Sequence, residues 1–171
     1  MKASLRLHFR DLTTKDTSAL IEIYSDVEAM KFRANPPVLS TEDALIMIQQ
    51  AEQEGKQFTS KRWGLVLKET KELIGTFVLN YDKVQPICTI GYSIGKKFWH
   101  KGYGKELLEA MLKEVKSTAT LLWKQAKNST IKAYVHPQNI ASIAILEKQH
   151  FYQLDADLAK NLLTYSLEVR L

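Results

Sequence analysis

The sequence predicts an α+β domain: a mixed, mostly antiparallel central sheet flanked by helices on both faces. Three observations lead there. Short segments with period-two alternation or β-branched character recur along the whole chain. Longer segments between them repeat apolar residues every three to four positions. Their order is strand, two helices, three strands, helix, strand, helix, strand, which sets a meander before βαβ-type units and calls for helices on both sheet faces.

Each element has its own reason. Leu5, Leu7 and Phe9 alternate with Arg6, His8 and Arg10, a half-buried strand. Thr13-Thr14-Lys15-Asp16 supplies an N-cap for a helix whose stripe is Leu20, Ile23, Tyr24 and Val27. Asn35-Pro36-Pro37 breaks the chain, and Ser40-Thr41-Glu42-Asp43 caps a second helix that runs to about Glu54 and closes at Gly55. Arg62 to Lys68 and Glu72 to Tyr81 read as antiparallel strands joined at Glu69-Thr70-Lys71. Ile87 to Ile94 is the central strand. The helix after it carries Leu107, Leu108, Met111, Leu112 and Val115 on one side and is predicted to extend through Trp123 to Lys127. Ile131 to Val135, Asn139 to Gln149 and Leu162 to Leu171 then read as strand, helix and strand.

At 171 residues, 45% hydrophobic and 25% charged, the chain suits a single domain spanning 1–171 with one sizeable core. A lone cysteine, Cys88, excludes an internal disulfide and suits a reducing compartment. The start, Met1-Lys2-Ala3-Ser4-Leu5-Arg6, has no apolar leader, and no 18-residue apolar run occurs, so a cytoplasmic protein without membrane contact is expected. Net charge is +5. Acidic residues are interspersed with most of the lysines, so the surplus serves solubility except at Lys96, Lys97, Lys101 and Lys105. No run of interleaved aromatics and arginines points to direct nucleic acid binding. His8, His100, His136 and His150 lack metal-ligand spacing, so no metal is expected.

The lysine group sits in the most informative stretch, residues 90–116. A β-branched strand feeds a loop with three glycines, which opens into a helix. Unpaired N–H groups of the first helical turn, the helix dipole and glycine backbone together make an anion cradle. A Walker loop is excluded because Gly104-Lys105 is followed by Glu106 and Trp99 stands five residues before Gly104. A dinucleotide fingerprint is excluded because Leu107 occupies the third glycine position.

Trp99-His100-Lys101-Gly102-Tyr103-Gly104 resembles the acyl-CoA loop of the GNAT acetyltransferase superfamily, usually Gln/Arg-x-x-Gly-x-Gly/Ala, except at its first position. Trp there, with Glu106 two after the last glycine, is similar to the RimJ/RimL-like branch, which acetylates amino groups, protein N-termini among them. Asn139-Ile140-Ala141-Ser142 through Glu147-Lys148-Gln149-His150-Phe151 resembles the family's Asn-x-x-Ser/Ala-x-x-x-x-Glu-Lys-x-Gly-Phe segment, with His150 for the glycine. The resemblance covers nearly the whole chain. It implies a GNAT fold, acetyl-CoA as co-substrate, and a cofactor set of Tyr92, Ser93, Ile94, Trp99, His100, Lys101, Gly102, Tyr103, Gly104, Lys105, Asn139 and Ser142.

It also implies roles. Backbone amides of Tyr92, Ser93 and Ile94, on a strand that a bulge splays between Gly91 and Gly95, would hold the pantetheine arm and the reacting carbonyl. Asn139 would bond the pantetheine, and Ser142 would donate to the departing thiolate, which makes these two the catalytic candidates. From the residues alone, Asn139 is equally an N-cap and Ser142 a small packing residue. Two departures stand out: Leu146 where many members carry a tyrosine acid, and Thr89 where many carry a glutamate. Glu28, Asp82 and Glu168 are unranked candidates for a base, beside a water chain or no base at all. Cys88, Trp63, Trp99 and Trp123 read as packing residues, and Tyr24 and Phe32 as core or as the lining of an acceptor pocket.

The expected function is transfer of acetyl from acetyl-CoA to a primary amine in a ternary complex, most simply a protein or peptide N-terminus. An acidic acceptor groove would instead favour a small-molecule amine: a polyamine, an amino acid or an aminoglycoside-like antibiotic. Loss of turnover would leave a CoA-binding sensor. Homodimers are common in the branch, although nothing in the sequence demonstrates one.

Overall fold

The computed structural model describes residues 4–33, 36–56 and 60–171. One seven-stranded sheet organises them, in the order β1-β2-β3-β4-β5-β7-β6. The strands are β1 (Leu7–Arg10), β2 (Ser60–Leu67), β3 (Leu73–Tyr81), β4 (Ile87–Ile94), β5 (Asn128–Val135), β6 (Tyr152–Asp157) and β7 (Leu162–Arg170). Every neighbouring pair is antiparallel except β4 with β5, which is parallel. That one parallel pair requires a crossover, and α4 (Tyr103–Leu122) supplies it.

The helices cover the sheet as the apolar stripes demand. On one face, α1 (Thr17–Ser25) and α3 (Thr41–Lys56) bury Leu20, Ile23, Tyr24, Ala44, Ile48 and Ala51 against Val66 and Leu73. On the other, α4 buries Leu107, Leu108, Met111 and Val115, and α5 (Ile140–Lys148) buries Leu146, against Phe77, Leu79, Ile90 and Ile131. Each full side-chain burial of this kind stabilises by about 1.5–3 kcal/mol.

Five expectations are corrected. Val27 does not continue the first stripe: it is 81% exposed, because Asp26 turns extended (ψ 118°) and caps a separate short helix, α2 (Val27–Met30), by accepting Ala29 N–H. Gly55 lies inside α3 instead of closing it. The long helix stops at Leu122, since Trp123 leaves helical geometry and its ring packs near Tyr81 (centroids 6.1 Å). The chain then turns, and β5 begins at Asn128, three residues early, where polar Asn128-Ser129-Thr130 is held by β7 and by a Thr130 N–H bond to Pro86 O. Finally, β6 is an additional edge strand after Phe151, paired only with β7 and mostly exposed.

Two caps show how local chemistry sets the ends. Ser40 and Asp43 form a reciprocal box at α3: Ser40 Oγ accepts Asp43 N–H at 3.1 Å while the Asp43 carboxylate accepts from Leu39 and Ser40 N–H at 3.0 Å. At the end of α5, Phe151 N–H bonds Leu146 O (3.1 Å) and His150 N–H bonds Glu147 O (2.9 Å), a Schellman motif. His150 takes the left-handed conformation it requires, φ 64°, where the resembling motif has glycine.

Candidate active site

The site forms where the parallel strands part. β4 and β5 pair from Ile87 with Thr130 to Ile90 with Ala133, and then separate. β4 continues beside β3 without any register shift to Ile94, opposite Gly75. The splay expected of this strand is therefore produced by departure of β5, not by a bulge in β4. A cleft of about 820 Å³ occupies the gap and is lined from both faces of the sheet.

Strand alternation decides which amides face the gap. Asp82 N–H bonds Ile87 O and Gly95 N–H bonds Ile74 O, so the odd residues of β4 hydrogen-bond to β3. Tyr92 and Ile94 consequently turn their backbone groups toward the cleft, whereas Ser93 pairs inward with Thr76. The Ile94 carbonyl is already taken by the Trp99 indole N–H at 2.7 Å. Gly75 makes the arrangement possible. A Cβ there would lie 2.2 Å from Ser93 O and 3.1 Å from Ile94 Cα, so only glycine lets β3 run this close to the free arm of β4.

One end of the cleft lies on the α4–α5 face. His100, Gly102, Tyr103, Gly104 and Lys105 line it, with the first-turn N–H groups of α4 among them. Gly102 needs to be glycine for conformation (φ 80°), but Gly104 serves packing: a Cβ there would meet Ile145 Cδ1 of α5 at 2.8 Å. Lys148 of α5 lines the same end and was not singled out in the sequence, although the motif contains it. Lys101 does not line the cleft; its Nζ lies 5.6 Å from the Phe98 ring centre and its carbonyl accepts Arg6. Lys97 is engaged elsewhere, paired with Glu22 (2.8 Å) and Glu72 (2.7 Å), which hold its ammonium above the usual lysine range. Glu106 is structural. Burial alone would raise its carboxyl, but Arg6 N–H, Ser4 Oγ and the Arg6 guanidinium hold it below the ordinary range and fasten the chain before β1 to the start of α4.

At the centre, Asn139 and Ser142 come together as expected, with a third partner. Asn139 Oδ1 accepts Ser142 N–H at 3.2 Å and caps α5, which leaves its Nδ2 donors for the cleft. The Tyr92 hydroxyl, brought from β4, donates to Ser142 Oγ at 3.3 Å. Burial pushes the Tyr92 phenol above its ordinary pKa, outweighing its bond to Ser142, so it keeps its proton at neutral pH. Leu146 is nearly fully buried, packed with Phe151 at the C-terminal end of α5, and it lines the cleft as an apolar wall. Cys88 is fully buried, its thiol pushed up to about 12 by burial, and it has no thiolate to offer.

The other end opens toward the α1–α2 side, lined by Glu28, Phe32, Arg33, Arg62 and Thr76. Phe32 stacks on His136 (5.0 Å, 29°), joining that side to the end of β5. His136 Nδ1 accepts Gln138 N–H at 3.2 Å. Of the three carboxylates the sequence offered as bases, Glu28 lines the cleft; Asp82 binds its own turn at Val84 and Gln85, and Glu168 sits on β7 opposite Thr130. Among the described residues no three His, Cys, Asp or Glu side chains gather as metal ligands, and no helix is long and apolar enough to cross a membrane.

A parted parallel strand pair, a helix N-terminus aimed into the gap and an Asn/Ser pair beside it define an acyl-CoA transferase architecture. Residues 6–152 match the Acetyltransferase (GNAT) domain family, and the chain belongs to that family, as an acetyl-CoA-dependent N-acetyltransferase. "Uncharacterized N-acetyltransferase p20" of Bacillus licheniformis is 29% identical over 147 residues, 85% of this chain and 79% of the relative. Two solved structures share the fold: Mycobacterium smegmatis RimJ in complex with CoA-disulfide (TM-score 0.79, 16% identity, 95% of this chain and 82% of that one) and Vibrio cholerae spermidine N-acetyltransferase in complex with CoA and spermine (TM-score 0.74, 13% identity, 96% and 95%).

Proposed function

We propose that the protein acetylates the N-terminal amine of a peptide or protein by direct transfer from acetyl-CoA in a ternary complex. The observation that carries this reading is the cleft's two-sided lining at the parting of β4 and β5. The cofactor enters from the α4–α5 face and supplies the acetyl thioester. The amine approaches from the face bearing Glu28 and Phe32. Direct attack then needs no covalent enzyme intermediate, and the buried Cys88 offers none.

The chain's own groups divide the work. First-turn amides of α4, with Lys105 and Lys148, hold phosphate oxygens. The Asn139 side-chain amide holds the pantetheine arm. Backbone N–H groups of Tyr92 and Ile94 donate to the carbonyl oxygen as negative charge develops there. Ser142 gives its proton to the departing sulfur and regains one from solvent in the open cleft, its oxygen held throughout by the Tyr92 hydroxyl, so the pair takes the place of the tyrosine absent at Leu146. Glu28 is the carboxylate placed to draw the incoming ammonium and take its proton.

The acceptor end favours a peptide over a polyamine, because it carries two arginines against one glutamate. Thermal unfolding with acetyl-CoA, CoA and NADH titrated separately tests the cofactor end. A ligand at about a hundred times its dissociation constant adds roughly 2.7 kcal/mol, several degrees in a domain of this size. Both CoA species are expected to stabilise and NADH is not; mass spectrometry of an N-terminal peptide panel then reads transfer. A flat response to both CoA species in a cooperatively folded sample overturns the reading.

A further inference from the structure

We infer that the acceptor carries a carboxylate close to its amine, read by Arg33 and Arg62; this rests on the transferase reading above and names its substrate class. The two arginines converge on one spot. Arg33 Nη1 donates to Ser93 Oγ, and Arg62 Nη1 lies 3.5 Å from Thr76 Oγ1. Ser93 and Thr76 are direct cross-strand partners on β4 and β3, so the two guanidinium groups reach hydroxyls on adjacent side chains.

A single buried residue builds this pair. The Tyr24 ring, fully buried in α1, lies beneath the Arg33 guanidinium at 4.5 Å. Its hydroxyl bonds Thr76 Oγ1 at 2.6 Å, and Thr76 is 1% exposed. One tyrosine therefore supports the first arginine with its ring and, through Thr76, the hydroxyl that the second one reaches. Such support fixes a binding group instead of leaving it to solvent.

Neither arginine is neutralised. Among the described residues no carboxylate lies within ion-pair distance of Arg33 or Arg62, whereas Arg6 and Arg10 are both paired. Arg33 Nε is buried without a hydrogen-bond partner. Two cations held side by side in a partly buried cleft, one with an unsatisfied donor, call for a planar oxyanion, and a guanidinium fork matches a carboxylate. With Glu28 at the same end for the ammonium, the lining complements an acceptor with both charges. A polyamine, which offers only cations, meets repulsion from the arginine pair.

The test uses matched acceptors with the intact protein and acetyl-CoA. Peptides with Asp or Glu in second position are compared with their Asn or Gln counterparts, free amino acids with their amides, and spermidine is the cationic control. The carboxylate member of a pair is expected to be used roughly ten- to a hundredfold better in kcat/KM, the range for charge-assisted hydrogen bonds. Whichever pair shows the larger ratio identifies the source, side-chain or α-carboxylate. In Arg33→Gln and Arg62→Gln the ratio is expected to collapse toward one, with stabilisation by acetyl-CoA showing that the fold is intact.

A ratio near one in the wild-type protein, a preference for spermidine, or a ratio unchanged in both variants overturns the inference while leaving the transferase reading standing. If no amine is acetylated, that reading fails separately. The inference is then decided by calorimetry on the CoA-loaded protein: acidic-peptide binding lost in Arg33→Gln sustains it, and no binding refutes it.

Discussion

If Ser142 protonates the leaving thiolate and Tyr92 acts only through Ser142, their losses cannot add. Ser142→Ala removes the donor outright. Positioned general acids contribute about 10²–10⁴ in rate, and the lower end applies because a thiol with an ordinary pKa near 8.5 leaves tolerably well unaided. We therefore expect kcat to fall by about a hundredfold, with stabilisation by CoA kept, because Asn139 still caps the backbone N–H of position 142. Tyr92→Phe removes one hydrogen bond of 3.3 Å. Such a bond is worth about 0.5–1.5 kcal/mol, or roughly a two- to twelvefold loss in kcat.

The decisive measurement is the double-mutant cycle in single-turnover rates. In the Ser142→Ala background, Tyr92→Phe should cost less than about twofold, since the group it assists is gone. Burial keeps the Tyr92 phenol protonated through neutral pH, so no limb of the kcat–pH profile between roughly pH 6 and 9 should vanish in Tyr92→Phe. Equal costs of Tyr92→Phe in both backgrounds would refute the relay and make Tyr92 an independent group.

Further outcomes follow from the same geometry. Asn139→Asp retains a cap at a helix N-terminus, so its melting temperature should hold or rise, while CoA stabilisation shrinks with loss of the Nδ2 donors; unchanged CoA affinity would disprove that role. Gly75→Ala should destabilise by about 1–3 kcal/mol by denaturant titration and weaken the CoA response together with it, since the added carbon meets backbone at Ser93. His150→Gly should gain about 1 kcal/mol, near 2–4 °C in a melt, by relieving a left-handed residue. Asp16→Asn should cost about 2–3 kcal/mol, because a buried carboxylate holds Arg10 through two bonds of 2.7 Å. Burial raises the Asp16 carboxyl, but Arg10 and Thr13 outweigh it and keep it below its usual value. Its stabilisation is thus complete above about pH 4 and lost as pH falls through the folded-state value, a loss absent from the variant in acid denaturation.

What was legible in the sequence was what is locally encoded. Ile87–Ile94 appears with the expected bounds because β-branched residues between turns specify a strand, and the start of α4 is marked by glycines whose spacing survives without context. Asn139 and Ser142 lie three apart on one helix, so their meeting was visible too. The rest depends on chain segments distant in sequence. Asn128-Ser129-Thr130 is polar and becomes strand only because β4 and β7 flank it. Tyr92 meets Ser142 from 50 residues away, and no pattern announces it. Tyr24 was read as core or pocket lining, and it is core: fully buried, it does not line the cleft but supports Arg33 and Thr76, which do, and Thr76, its hydroxyl partner, stands 52 residues on. Arg62 offered the one local hint, a charge directly before the buried run Trp63 to Val66 of its strand.

The two departures from the family pattern can be explained by the same packing. Leu146 is the residue whose carbonyl and side chain close the α5 Schellman motif against Phe151, in a turn where His150 stands for glycine. A hydroxyl at this buried position would need a partner or cost about 1–3 kcal/mol unsatisfied. In the proposed mechanism the donor task falls one turn earlier on the same helix, to Ser142, where β4 presents the Tyr92 hydroxyl from across the gap. Thr89 stands within the paired part of β4, opposite Lys132 on β5 and Asn80 on β3, short of the parting at Ile90. Glu28 approaches from α2, beyond that pairing and on the α1–α2 side of the cleft, and it needs no place in the sheet. In the proposed mechanism Ser142 and Glu28 thus act from opposite faces, which is the polarity that a reaction crossing the sheet requires.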